Sequence, residues 1–451
     1  MSDRFPPGPD HNVFQAARST LRQQRDRLGF LVDMAKTYGE ICHFHTGLRD
    51  IYLVTHPDYV REVLVEQADK FNRTTPAKRA MGKYLGQGLL VIDGDLHRRE
   101  RRLAQPAFHH QRIEAYAEVM VRYTQQLVDQ WQPGQARDVS LDMTRLTSGI
   151  VAKCLFDADV SDDAQEIARS MSILQEAALR QFLLFGSLRS RLPSAVTRHE
   201  REAVESLDRL IYRIIDQRRV SDEDRGDLLS MLLMATDDDG ARNSIQQIHD
   251  EVITLFIAGH ETTSNALVWA WYLLSQNREV AARLRQELAD VLRGRAPTLD
   301  DFPRLAHCTM IIRETLRLYP SAWAISRQAI EDLDIGGYLL KAGSVLITSP
   351  YITHRLPRYF PDPECFRPER FAPGEQSLPR FAYFPFGGGP HICIGQSFAM
   401  LEAVLILATI AQRYTLELVH DHPIEMDPLI TLRVKDGIRM IPQKTPDPHP
   451  M

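Results

Sequence analysis

Apolar positions recur at helical spacing through most of residues 113–247. The rhythm breaks at Pro133-Gly134, around residues 157–163, at Pro193 and at Asp237-Asp238-Asp239-Gly240. Residues 245–276 differ, because they are apolar around most of the circumference, the pattern of a buried helix. At a rise of about 1.5 Å per residue, such a helix crosses most of a molecule this size. Helices are predicted over residues 278–293 and 303–318, the second stopped by Pro320, which cannot continue a helix. Near the start, residues 50–55 read as a strand from their β-branched and aromatic content, and residues 57–67 as a helix. Gly336-Gly337 and Gly343 punctuate short apolar segments through Thr348. A proline-rich irregular stretch at 357–390 then leads to a last long helix over 396–414 and short strands within 424–441. The pattern predicts a mainly α chain with a minor β part (α+β), one domain over residues 1–451, with no repeat or linker.

Composition narrows the function. The chain has 451 residues, 44% hydrophobic and 25% charged, with a net charge of −5. A nucleic-acid binder would carry a basic excess, so none is expected. The five cysteines, Cys42, Cys154, Cys308, Cys365 and Cys393, are odd in number and form no C-x-x-C pair. That speaks against a disulfide framework or a structural zinc site and for a reducing, cytoplasmic setting. The short proline-rich segment 1–12 has no apolar core of a signal peptide, and no uncharged apolar run reaches about 18 residues, so no membrane anchor is expected.

Three strings carry chemistry. The first is Phe386-Gly387-Gly388-Gly389-Pro390-His391-Ile392-Cys393-Ile394-Gly395, just before the last helix. Consecutive glycines allow a turn that side chains would block. A cysteine near a helix N-terminus is favoured as thiolate, and Gly395 leaves room for a flat cofactor. A lone cysteine is more often a buried core residue. The second string, Glu314-Thr315-Leu316-Arg317, puts opposite charges at i and i+3 on one helix face, ordinarily a surface pair of little worth. The third, Ala258-Gly259-His260-Glu261-Thr262-Thr263, interrupts the apolar helix. Thr262 can bond back to the carbonyl of Ala258, and a mid-helix glycine costs about 1 kcal/mol against alanine. In isolation, this string could be a polar face at a seam between elements.

Together these strings resemble the signatures of the cytochrome P450 family, over about residues 30–442. Phe386, Gly389, His391, Cys393 and Gly395 match its cysteine loop (384–396), with His391 where arginine is frequent. The resemblance implies Cys393 as axial ligand of haem b (iron protoporphyrin IX), with Phe386, Gly389 and Gly395 around the cofactor. It implies His97, Arg101, Arg327 and His391 on the propionates; His97 stands where many relatives have tryptophan. Glu314 and Arg317, with Arg370 in Phe366-Arg367-Pro368-Glu369-Arg370-Phe371, would form a buried charge network behind the loop. Thr262 and Glu261 would move protons, and Ala258 and Gly259 would face dioxygen. The implied fold is a triangular prism with haem between the long central helix and the cysteine loop and last helix.

The implied reaction inserts one oxygen atom of O₂ into a hydrophobic small molecule, a fatty acid or a terpenoid. The Ala-Gly-His-Glu-Thr-Thr string resembles bacterial fatty-acid hydroxylases. Expected pocket walls are residues 78–91, 182–188, 255–258, 322–325 and 429–431. No flavin or iron–sulfur module is readable, so electrons would come from a ferredoxin- or flavodoxin-type donor with its NAD(P)H reductase, and the chain is expected to act as a monomer. Arg98 and Arg102 could form a basic patch for that donor. The alternatives are a peroxide-driven peroxygenase, which typically lacks the acid–threonine pair, and a haem-binding sensor without turnover. A cysteine-nucleophile hydrolase is a further rival, but no nucleophile elbow is present.

Overall fold

The computed structural model describes residues 5–9, 13–46, 49–181, 195–221, 223–235, 243–375, 378–420 and 423–445. Its helices are α1 (Val13–Arg25), α2 (Arg27–Tyr38), α3 (Pro57–Arg61), α4 (Thr75–Leu85), α5 (Gly94–Ala104), α6 (His110–Asp129), α7 (Val139–Phe156) and α8 (Ala164–Gln181). They continue with α9 (Ala195–Ser221), α10 (Leu228–Met234), α11 (Ile245–Gln276), α12 (Arg278–Leu292), α13 (Ala306–Leu318), α14 (Pro350–Thr353) and α15 (Gln396–Arg413). The expected breaks at Pro193 and at 237–240 lie outside the described residues.

The long helix α11 begins where predicted, and its start has a local cause. Ser244 accepts from the backbone N–H of Gln247 while the Gln247 side chain accepts from the backbone N–H of Ser244, a capping box. It runs without interruption to Gln276 beside α7, both largely buried. Helix α7 stops at Asp157, which adopts a left-handed φ of 46°. Helix α15 is buried from Leu401 to Ala411 and joins α7 and α11 in the main core.

Two predicted helices are divided. Residues 57–67 form α3 and then a π-helical turn, Glu62–Glu66, whose wider coil brings the carbonyl of Leu64 against the cysteine loop. Residues 303–318 do not form one helix: Pro303 lies in a 3₁₀ segment, Leu299–Arg304, and α13 starts only at Ala306. Proline lacks the N–H that a helix interior needs.

The strands flank this helical body. β1 (Ile41–Thr46) and β2 (Arg49–Val54) form an antiparallel hairpin with Ile41 opposite Val54 and His45 opposite Asp50. β8 (Val345–Thr348) lies parallel to β2, β5 (Ile325–Ala329) antiparallel to β8, and β3 (Phe71–Asn72) closes the sheet as β1-β2-β8-β5-β3. A second sheet orders β4 (Arg137–Asp138), β12 (Arg439–Lys444) and β9 (Tyr414–Leu418). β6 (Leu333–Ile335) pairs with β7 (Tyr338–Leu340), and β10 (Met426–Pro428) with β11 (Leu432–Val434). The turn after β10 reaches back to α11, where Asn265 donates to the Thr431 hydroxyl at 3.1 Å. Among the described residues no helix is long and apolar enough to cross a membrane.

Candidate active site

A cavity of about 470 Å³ lies between α11 and the cysteine loop. Cys393, exposed in the chain, opens into it. Two backbone bonds shape the loop: Gly387 N–H donates to Phe384 at 3.0 Å and Cys393 N–H to Phe386 at 3.0 Å. Gly387 and Gly389 adopt positive φ, 72° and 66°, which side chains rarely tolerate. A Cβ on Gly389 would sit 1.7 Å from the carbonyl oxygen of Leu64, so the loop can press on the π-turn only with glycine there. Though open to the cavity, the Cys393 thiol lies deep in the protein, and that desolvation raises its pKa, while the Gly395 N–H bonded to it and the Arg101 charge pull it down.

Basic groups gather at one end of the cavity. His97 and Arg101, one turn apart on α5, both line it, with Arg327 from β5 and His391. Arg101 donates to the Ile392 carbonyl at 2.8 Å. His97 Nε2 lies 3.1 Å from His391 Nδ1. Burial and the nearby arginines hold His97 at about 4 and His391 at about 3, so both rings are neutral. Burial also lowers Arg327 to about 10, and among the described residues its bonded partner is the carbonyl of Ser326, at 2.9 Å. Arg73 joins the group. It is a lining residue that no motif announced, ion-paired to Asp93 at 2.9 Å.

Behind the loop, the i, i+3 pair is no surface pair. Glu314 and Arg317 are completely buried and meet in a fork, Nε to Oε2 at 2.7 Å and Nη2 to Oε1 at 2.8 Å. Arg317 also donates to the carbonyls of His354 (3.1 Å), Pro363 (2.7 Å) and Cys365 (3.2 Å). Glu314 accepts from Arg367 N–H at 2.9 Å and from Arg370 at 3.3 Å. His354, buried and unforeseen, ties the network to the cysteine loop: its Nε2 accepts from Phe384 N–H at 2.9 Å.

On the α11 side, the hydroxyl of Thr262 bonds the Ala258 carbonyl at 2.9 Å, as the spacing predicts. Ala258, Glu261 and Thr262 line the cavity. The Glu261 carboxylate accepts from Gln175 of α8 at 2.5 Å and from the Thr431 hydroxyl. Burial raises its pKa to about 7, against the opposing pull of Thr431, Arg433 and Gln175. Gln175 carried no signal in the sequence, because the contact joins elements far apart in the chain.

Two glycine expectations are corrected. Gly259 does not face the cavity: it points at α7, where a Cβ would lie 3.0 Å from Val151 Cγ2. Gly389 packs against Leu64 and is not a cavity wall, whereas Gly387 and Gly388 are. A Cβ on Gly395 would meet Phe108, at 3.6 Å, and its N–H bonds Cys393. Phe386 does line the cavity, as expected.

The remaining walls are mainly apolar: Met81, Leu89, Leu174, Ala178, Ile257 and Ile430. Four expected wall regions contribute residues, whereas residues 182–188 lie outside those described.

A family model for cytochrome P450 matches residues 6–439. Cyclooctatin synthase of Streptomyces melanosporofaciens is 41% identical, over 95% of this chain and 93% of its own length. Cyclooctat-9-en-7-ol 5-monooxygenase of the same organism is 34% identical, over 88% and 86%. Pentalenene oxygenase of Streptomyces avermitilis is 33% identical, over 87% of each chain.

Proposed function

The chain belongs to the cytochrome P450 family, and from that premise we propose that it oxygenates a terpenoid in the cavity between α11 and the cysteine loop. It is a haem-thiolate monooxygenase, an enzyme of O₂, a hydrophobic substrate and a redox partner. The observation that carries the proposal is one cavity holding Cys393, a buried basic cluster and Thr262 within apolar walls.

The residues fit haem b. A porphyrin needs a thiolate for its iron and cations for two propionates, and Arg327 keeps guanidinium donors beyond its one carbonyl partner. Cys393 would hold the iron. Arg101 and Arg327, with His97, His391 and Arg73, would hold the propionates, and Phe386, Gly387 and Gly388 would lie along the ring. When bound, the group supplies the redox chemistry of O₂ and the oxygen transfer.

The chain's own residues do the rest. The Gly395 N–H and the Arg101 charge favour the thiolate form of Cys393. Glu314, Arg317 and Arg370 fix the strand of chain that carries the loop. Thr262 donates its proton to Ala258, which leaves its oxygen lone pairs to orient a water in the cavity. Glu261, with a pKa near neutrality, can take and return protons there, and Gln175 and Thr431 hold its carboxylate in place. The apolar walls take the hydrocarbon body of the substrate.

The terpenoid class rests on the names of the three relatives. Electrons would come from a ferredoxin- or flavodoxin-type donor with its NAD(P)H reductase. The enzyme would act as a monomer of one domain in the cytoplasm, where its free thiols stay reduced.

The test is a spectral titration of the ferric protein with cyclic terpenes, terpene alcohols and fatty acids, followed by turnover with redox partners or with peroxide alone. Displacement of iron-bound water by terpenoids and product dependent on NAD(P)H are expected. A response to fatty acids alone would overturn the substrate class, and turnover with peroxide alone would overturn the monooxygenase route.

A further inference from the structure

On the β1–β2 hairpin, away from the cavity, His43, His45 and Asp50 bring three ligand atoms within 4.8 Å of one another. Register explains the grouping. His43 and His45 are two apart on β1 and so share a face of the pleat, and Asp50 stands directly opposite His45. His43 Nε2 lies 2.8 Å and His45 Nδ1 3.3 Å from the same oxygen, Asp50 Oδ1. The imidazole planes are 82° apart, so the two nitrogens approach the carboxylate from different directions.

We propose that His43, His45 and Asp50 form a binding site for one Zn(II) ion. A tetrahedral zinc with bonds of about 2.0–2.1 Å sets its ligand atoms about 3.3 Å apart, the scale of the two contacts seen here. Two neutral imidazoles and a carboxylate are ligands that this borderline ion accepts. The ion takes the place of the protons that the rings otherwise share with Asp50. One side of the site is dry and one is open. The His43 ring is fully buried between Phe5 (centroids 4.9 Å apart) and Tyr52 (4.7 Å), while the side chains of His45 and Asp50 are 30% and 36% exposed. Solvent therefore reaches the metal's remaining position from the open side. Bound there, the ion ties β1, the outer strand of the five-stranded sheet, to its neighbour β2.

The experiment is equilibrium dialysis of the haem-loaded chain against buffered Zn(II), with bound metal counted by elemental analysis. The wild type is compared with His45→Ala and Asp50→Asn. Both substitutions are at partly exposed side chains, and an unchanged haem spectrum reports that the variants fold. One zinc per wild-type chain is expected. Each variant should bind more weakly by over 100-fold, beyond the about 10–100-fold that losing an outer-shell partner costs. Zinc should raise the Tm of the wild type and leave that of the variants unmoved. No uptake by the wild type, or equal uptake by the variants, overturns the proposal.

Discussion

Arg317 offers the sharpest test of the buried network. Arg317→Ala removes five hydrogen bonds at a completely buried position. Among the described residues it leaves the fully buried Glu314 with Arg367 N–H and the longer Arg370 contact alone. Orphaning one member of a buried pair costs about 3–5 kcal/mol. Three carbonyls also lose a donor, at about 1–3 kcal/mol for each that water does not reach. With all three carbonyls dry the low ends sum to about 6 kcal/mol, comparable to the total stability of a native protein, about 5–15 kcal/mol. The expected outcome is a chain that accumulates poorly and holds little haem, because the same residues carry Phe384 through His354. Arg317→Lys keeps the charge but not the fork and should be destabilised less. The double variant Glu314→Gln/Arg317→Met should be more stable than Arg317→Ala, since it leaves no unpaired charge. Urea midpoints by circular dichroism, with haem content by absorbance, measure all three. If Arg317→Ala lies within about 1 kcal/mol of wild type with full haem content, the reasoning from burial is wrong.

Three further outcomes follow from other parts of the structure. Thr262→Val keeps the shape and removes the hydroxyl that orients the water, so product formation should fall about 100-fold, the low end for lost acid–base assistance, while NAD(P)H oxidation continues; product and peroxide assays separate the two. The Glu261 carboxyl, at about 7 in the folded chain against 4.5 in the reference, binds its proton more tightly when folded. Its ionisation therefore removes stability as pH rises from about 4.5 through about 7, and Glu261→Gln should flatten that part of a urea-midpoint profile measured from pH 4.5 to 8. Burial alone would lower His249, yet Asp208 and Asp250 raise it to about 9. The stability it contributes is complete below about 6.5 and is lost as pH rises through about 9, so Asp208→Asn should lower the midpoint at pH 7 and shrink its decline toward pH 9.

What the sequence revealed was what local geometry fixes. Thr262 meets Ala258 because residues four apart share a helical turn, and Glu314 meets Arg317 for the same reason. The apolar run of α11 was equally readable. Its neighbours were not. Arg73, Gln175 and His354 reach the site through contacts between distant elements, and no local pattern marks them. The role of Gly259 was misjudged because a missing side chain says only that something lies close. Which element lies close, α7 or the cavity, is settled by packing. Strand β1 escaped notice because its buried run, Ile41–Phe44, includes His43, whose polar ring interrupts the apolar pattern. The division of residues 57–67 depends on a π-turn for which the sequence has no breaker.

The placement of Gly259 against Val151 has a consequence for how such an enzyme could diversify. Ala258 looks into the reaction chamber and its neighbour looks out toward α7, so the central helix packs against Val151 with no side chain between. A bulkier residue at position 151 would press on α11 at Gly259, next to the wall residue Ala258, without altering a wall residue itself. Selectivity can thus be retuned from outside the room in which the chemistry happens.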